Sequence, residues 1–111
     1  MKMDRNENQD GTGKYAVVNL RKFKAMPEDS DERREVRIAL EALQLAGVLE
    51  WGCVGEPDEF FLIKLKDINA EHALIAYADE ASHNGDKDFA GEVYDMARRS
   101  GENSPHCKVP D

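Results

Sequence analysis

Apolar residues recur at helical spacing in the second quarter of the chain, where they predict a long helix over residues 30–46. Either Asp29, at a capping-box spacing from Glu32, or Ser30 can cap the first turn, and the acids of that turn face the positive end of the helix dipole. Gly47 predicts the end of the helix, because glycine takes the left-handed cap conformation without strain. The expected buried stripe comprises Val36, Ala39, Leu40, Leu43 and Ala46.

Two segments after Gly47 alternate apolar and polar residues. The alternation runs over residues 48–54 and again over 59–66, and the turn-forming sequence at 55–58 lies between them. Alternation is typical of strands that bury one face, so this pattern predicts a β-hairpin over 48–66. A short strand near residues 14–18 is a candidate third partner, and Asn19 can cap a brief helical turn after it.

The last third of the chain returns to helical periodicity. Apolar positions predict one helix over residues 68–82, capped by Asp67 or Asn69, and a second over residues 86–100, capped by Asp86. Gly85 lies in the turn between them. The predicted fold is therefore α+β, a small antiparallel sheet packed with a long helix and a C-terminal helical hairpin. The apolar positions of this hairpin include Ala70, Leu74, Tyr77, Phe89, Val93 and Met96.

The 111 residues have room for one hydrophobic core, which predicts a single globular domain over residues 14–111. Residues 1–13 lack apolar periodicity and end in Gly-Thr-Gly, so they predict a disordered arm. The first residues do not resemble a signal peptide, and no apolar run in the sequence is long enough for a membrane span. A cytoplasmic protein that makes no membrane contact is expected.

Acidic residues dominate the charge, and they are unevenly placed. The formal net charge is −8, yet residues 14–26 carry four basic residues and no acid. Residues 67–96 carry eight acids and a single lysine. The negative electrostatic field of residues 67–96 repels the phosphate backbone of nucleic acid. This argues against direct binding of nucleic acid through the surface that these residues form.

The candidate chemical groups do not form a known motif. Cys53, His72, His106 and Cys107 lack the two closely spaced ligand pairs of a structural zinc site, so no metal is predicted. Cys53 shares a face with Leu49 and Trp51, which favours a small core residue and a free thiol over a nucleophile activated by His72. Because no phosphate-binding loop or other cofactor motif occurs, neither a cofactor nor an enzymatic activity is predicted.

Three acids share one face of the last predicted helix. Asp88, Glu92 and Asp95 follow one another at spacings of four and three residues, and like charges at such spacings destabilise a helix by a few tenths of a kcal/mol per pair. Because the three acids are present despite this cost, the face is a candidate binding site for a basic partner. Asp79 and Glu80 are further candidate residues for the same binding site. The alternative is an ordinary solubilising surface.

Four strings resemble small uncharacterised proteins of tailed bacteriophages and prophages, over roughly residues 14–111. The strings are AGVLEWG at 46–52, DEFFLIKLKD at 58–67, AYA at 76–78 and SPHCKVPD at 104–111. The resemblance carries no activity. It implies the cytoplasm of a bacterial host and an accessory role in infection.

The sequence therefore favours a small acidic, non-enzymatic binding protein, encoded by a phage and acting as a modulator or inhibitor of a host protein or defence complex. One alternative is a DNA mimic whose acids occupy the groove of a nucleic-acid-binding protein. A second is a virion or assembly component, a homo-oligomer that associates through the sheet. A third is a small enzyme or ligand-binding protein.

Overall fold

Four α-helices and one 3-10 helix make up the helical structure of residues 7–109, the part of the chain that this computed structural model describes. The chain divides into two compact units. Unit 1 comprises the described residues 7–15 and 62–109, and unit 2 comprises Ala16–Phe61. In chain order the helices are α1 (Leu20–Lys24), α2 (Asp31–Leu45), α3 (Ala70–His83), α4 (Lys87–Ala97) and the 3-10 helix (Gly101–Asn103).

No β-sheet occurs within residues 7–109, so the predicted α+β fold with a hairpin over 48–66 and a strand near 14–18 is wrong. The only β-type pairings in this part of the chain are two isolated bridges, Glu7 with Gly13 and Asp67 with Lys108. A two-residue alternation specifies strand register only where one face is buried. Here large apolar side chains of both segments, such as Val54 and Phe61, stay exposed.

The chain does reverse direction where the hairpin was predicted, but it does so as a loop. The ring of Phe60 lies against Gly52, at the place where any other residue would carry its Cβ atom. The backbone N–H of Gly55 donates to a carboxylate oxygen of Glu59 at 3.1 Å, which closes the tip of the loop. The predicted turn is therefore present without the predicted strand pairing.

Helix α2 begins and ends where the sequence predicted. The Ser30 hydroxyl accepts a hydrogen bond from the backbone N–H of Arg33 at 3.1 Å. At the other end, the N–H groups of Gly47 and Val48 donate to the carbonyls of Gln44 and Leu43, the paired bonds of a Schellman motif. These local contacts account for the helix boundaries.

Burial differs from the prediction for α2. None of its residues is buried, and Leu43, predicted to be in the core, is 41% exposed. Arg33 joins α2 to α1: its guanidinium lies 5.3 Å from the centre of the Phe23 ring and donates to the Met26 carbonyl at 2.8 Å. Unit 2 is therefore held by local polar and cation–π contacts more than by a core of its own.

The hydrophobic core among the described residues lies in unit 1, between α3 and α4. Ala78, Ala90, Val93 and Met96 are buried against one another. Small alanine side chains let the two helices approach closely, and larger apolar side chains close the edges of the contact. On one edge the rings of Tyr77 and Phe89 meet edge to face at 6.2 Å.

Residues 101–108 close unit 1 by pairing with the segment that precedes α3. The N–H of Gly101 donates to the carbonyl of Leu65 at 2.8 Å, and the N–H of Lys108 donates to the carbonyl of Lys66 at 2.7 Å. The N–H of Ile68 in turn donates to the carbonyl of Lys108 at 3.0 Å. The end of the alternating segment, at Leu65 and Lys66, therefore finds its backbone partners in the last residues of the unit.

Residues 7–13 form a hydrogen-bonded turn in unit 1. The Asp10 carboxylate accepts hydrogen bonds from the hydroxyl and the backbone N–H of Thr12, which lower the pKa of Asp10. Residues 1–6, the remainder of the arm predicted to be disordered, lie outside the described residues.

Candidate functional site

The acidic face of α4 consists of Asp88, Glu92 and Asp95, which share one side of the helix by their spacing. Val93 and Ala97 are buried on the opposite side of α4. Asp88 and Asp95 are exposed, and Glu92 lies half-buried between them. Because the helix is anchored by its core, the three acids are presented on a rigid element.

Asp95 is paired within the helix. Its carboxylate accepts a hydrogen bond from the Arg98 guanidinium at 2.8 Å. The next arginine, Arg99, lies 3.7 Å from the carboxylate of Glu7. A pair of opposite charges three residues apart on a helix is visible in the sequence, so the Asp95–Arg98 pair could have been predicted from its spacing. Both side chains of the Asp95–Arg98 pair are largely exposed, so the pair adds little to stability.

Glu92 differs from the other acids of the face because one of its oxygens is buried. The Oε1 atom is shielded from solvent, and no group among the described residues donates a hydrogen bond to it. A buried acceptor without a donor destabilises the fold by about 1–3 kcal/mol, and by more when it is charged. The sequence could not reveal this feature, because it depends on how neighbouring side chains cover one carboxylate oxygen.

Asp79 and Glu80 lie on α3, and the structure does not bring both of them to the acidic face of α4. Asp79 accepts a hydrogen bond from the Tyr94 hydroxyl. Tyr94 and Glu92 are two residues apart and so lie about 200° apart around the helix, which places Asp79 on the other flank of α4 from Glu92. The five predicted acids therefore do not form one surface.

The hydrogen bond to Asp79 raises the pKa of Tyr94 above its ordinary value, since the carboxylate stabilises the protonated phenol. The nearby negative charge acts in the same direction. Stability from this contact is present below the ordinary tyrosine pKa and is lost as pH rises through the elevated pKa of the folded protein.

Absorbance titration of the phenol groups should therefore show that Tyr94 ionises at higher pH in the native protein than in Asp79→Ala. The chain has three tyrosines, so Tyr94→Phe identifies the transition that belongs to Tyr94. Identical titration curves for the native protein and Asp79→Ala would contradict the hydrogen bond.

A shallow groove lies on the Tyr94 flank. Its volume is about 150 Å³, and it is lined by Glu71, Ile75, Tyr94, Ala97 and Arg98. Small-molecule sites typically have volumes of roughly 300–1,000 Å³. The groove is therefore too small for an ordinary metabolite site, and the Asn103 side chain already donates to the Glu71 carboxylate beside it.

The candidate metal and nucleophile residues are dispersed over the surface. Cys53 and Cys107 are exposed free thiols, so the prediction of Cys53 as a small core residue is wrong. His72 and His106 are also exposed. No group of three histidine, cysteine or acidic side chains within residues 7–109 is arranged to hold a metal ion.

Comparison with known proteins finds no matching family model, no matching curated protein and no matching solved structure. Within residues 7–109, no helix has both the length and the apolar character needed to cross a membrane.

Proposed function

We propose that the chain is a non-enzymatic binding protein that engages a basic surface of another protein through the acidic face of α4. The observation that carries this proposal is the unpartnered buried oxygen of Glu92, between two exposed acids on a well-packed helix. An incoming lysine or arginine would offset the charge of this half-buried carboxylate, which receives no donor at its buried oxygen from the described residues. Hydrogen bonds between charged groups are roughly twice as strong as those between neutral groups.

The remaining acids support the same role through long-range attraction. Exposed charges such as Asp88 act mainly on the rate of encounter with an oppositely charged surface. Their effect is screened over about 8–10 Å at physiological ionic strength, so association should weaken as salt is added. Glu92 contributes at short range and Asp88 at longer range, and the two effects are separable by experiment.

The resemblance to phage proteins directs the search for a partner to bacterial host proteins. In this proposal the chain modulates or inhibits a host protein by occupying its basic surface. The DNA-mimic alternative is a special case, in which that basic surface is a nucleic-acid-binding groove.

The test compares three forms of the tagged chain as baits for proteins in a bacterial lysate, at low and at high salt. The test variant is Asp88→Asn, Glu92→Gln, Asp95→Asn. The matched control removes the same number of negative charges at exposed positions of unit 2, as Glu28→Gln, Asp29→Asn, Glu50→Gln. A basic protein retained by the native chain and by the control, and lost by the test variant, is the expected result.

Equal retention by the test variant at both salt concentrations would contradict the proposal. Competition by duplex DNA for the captured protein distinguishes the DNA mimic from other modulators. Glu92→Gln alone should leave the free energy of unfolding unchanged or raise it, because the substitution removes a charge from a carboxylate that lacks a donor. Denaturation of the variants therefore separates loss of binding from loss of fold.

A further inference from the structure

Residues 16–18 in unit 2 have backbone groups that lack hydrogen-bond partners among the described residues. The N–H and C=O groups of Ala16, Val17 and Val18 make no hydrogen bond within residues 7–109. The side chain of Val17 is 64% exposed, and that of Val18 is 44% exposed. β-branched residues pack well on the pleated surface of a sheet. An exposed segment with unpaired backbone groups is a place where another chain can add a strand.

Helix α1 follows this segment and presents three exposed cations, Arg21, Lys22 and Lys24. By their spacing they lie within an arc of about 160° around the helix, and Phe23 lies opposite the middle of that arc. The Phe23 ring meets the Arg33 guanidinium at 5.3 Å, so the three cations lie on the side of α1 away from this contact. Their side chains form no ion pair within residues 7–109.

Residues 16–24, which we call the basic stretch, contain these three cations and no acid. They therefore attract an anionic partner, although the whole chain has a formal net charge of −8. The cations and the unpaired backbone groups are continuous in the sequence, since α1 begins two residues after Val18. A partner that satisfies both features must be anionic and must supply hydrogen-bond donors as well as acceptors.

These two requirements distinguish the classes of anionic partner. Against an anionic lipid surface, the backbone groups of residues 16–18 would lose water without gaining paired donors and acceptors, which is unfavourable. The phosphate backbone of a nucleic acid supplies acceptors alone, and the eight acids of residues 67–96 repel it. An extended polypeptide supplies donors and acceptors in alternation, and acidic side chains give it the required charge.

We propose that the basic stretch binds an extended acidic segment of another protein. The segment pairs as a β-strand with residues 16–18, and its carboxylates lie near the cations of α1. This proposal rests on residues of unit 2 alone, so it is independent of the role proposed for Glu92 in unit 1.

The test is an NMR titration of the isotope-labelled full chain with a synthetic peptide of alternating glutamate and valine residues. A peptide of alternating lysine and valine residues is the charge control. The amide signals of Ala16, Val17 and Val18 should shift with the acidic peptide and stay in place with the basic one. Unchanged amide signals at millimolar acidic peptide would overturn the proposal.

The contribution of the cations is measured with Arg21→Gln, Lys22→Gln, Lys24→Gln. This triple variant should raise the dissociation constant for the acidic peptide by about tenfold, because it removes three exposed charge pairs. The matched control removes three exposed cations at other positions, as Arg34→Gln, Arg37→Gln, Lys64→Gln. Equal dissociation constants for the two triple variants would show that only the total charge matters, and would contradict a site on α1.

Strand pairing is tested separately by Val17→Pro and Val18→Pro, because proline lacks the N–H donor. Adjacent residues of an extended segment direct their N–H groups to opposite sides, so one of the two variants should weaken peptide binding by at least about tenfold. Neither N–H has a partner within residues 7–109, so the urea midpoint should change little in either variant. Full binding by both variants would overturn the proposal. Tighter binding of single-stranded DNA or of phosphatidylglycerol vesicles than of the acidic peptide would overturn it as well.

Discussion

Replacing Met96 with alanine should lower the free energy of unfolding by about 2–5 kcal/mol. Met96 is buried in the α3–α4 core, where its neighbours are Ala78, Ala90 and Val93. Ala78 and Ala90 have no longer side chains with which to fill the space, so part of the cavity left by the substitution would persist. Urea denaturation followed by circular dichroism measures the loss as a lower midpoint.

Leu43→Ala is the informative comparison for Met96→Ala. The helical pattern of the sequence predicts a loss of about 2–5 kcal/mol for Leu43 also, but its side chain is 41% exposed. We therefore expect Leu43→Ala to destabilise the protein by clearly less than Met96→Ala. The reverse order would show that the core forms around α2 and not between α3 and α4.

Gly101→Ala should destabilise the protein by at least about 2 kcal/mol, through two separate effects. The φ angle of Gly101 is +59°, a left-handed conformation that is strained for alanine. A Cβ atom at this position would lie 3.2 Å from the Cβ of Glu71 and 3.2 Å from the carbonyl oxygen of Ile68. Because the second contact is with backbone, it cannot be relieved by rotating a side chain.

Gly91→Ala is the control for Gly101→Ala. Gly91 lies within α4, and a Cβ atom added there would meet no atom within 4 Å. The same substitution should therefore stabilise the protein by about 0.5–1 kcal/mol, since alanine favours helix over the unfolded chain. Equal midpoints for the two variants would contradict both the backbone conformation of Gly101 and its close contacts.

The helices could be predicted from the sequence because their determinants are local. Ser30, Asn19 and Gly47 act through hydrogen bonds to residues within a few positions, and the structure has those bonds. The periodicity of Val93 and Met96 marks the buried side of α4 in the same way. The periodic pattern does not reveal how far the apolar side of a helix is buried by other parts of the chain, because burial depends on residues distant in sequence. The prediction of a buried stripe on α2 was wrong for this reason.

The prediction of a sheet was wrong for the same reason, because strand pairing also depends on residues distant in sequence. Alternation over residues 59–66 indicates extended chain, but it does not identify the partner of that chain. The partner is supplied by Gly101 and Lys108, which lie far along the sequence and show no strand pattern of their own. Phe60 packs on Gly52 by its ring, a contact that also leaves no periodic signal.

At the candidate site, the spacing of Asp88, Glu92 and Asp95 was enough to place the three acids on one side of a helix. The separation of Asp79 from Glu92 was not accessible, because it depends on which flank of α4 meets α3. The buried oxygen of Glu92 likewise follows from tertiary packing and not from residue type.

The pairing of residues 65–68 with residues 101–108 also bears on the order of events during refolding. Helices α3 and α4 are neighbours in the sequence, so they can pair through local contacts. The hydrogen bond from the N–H of Ile68 to the carbonyl of Lys108 closes a loop of about 40 residues, and closing that loop costs chain entropy. During refolding, the Ile68 amide should therefore become protected from exchange with solvent later than the amides of the helical hairpin.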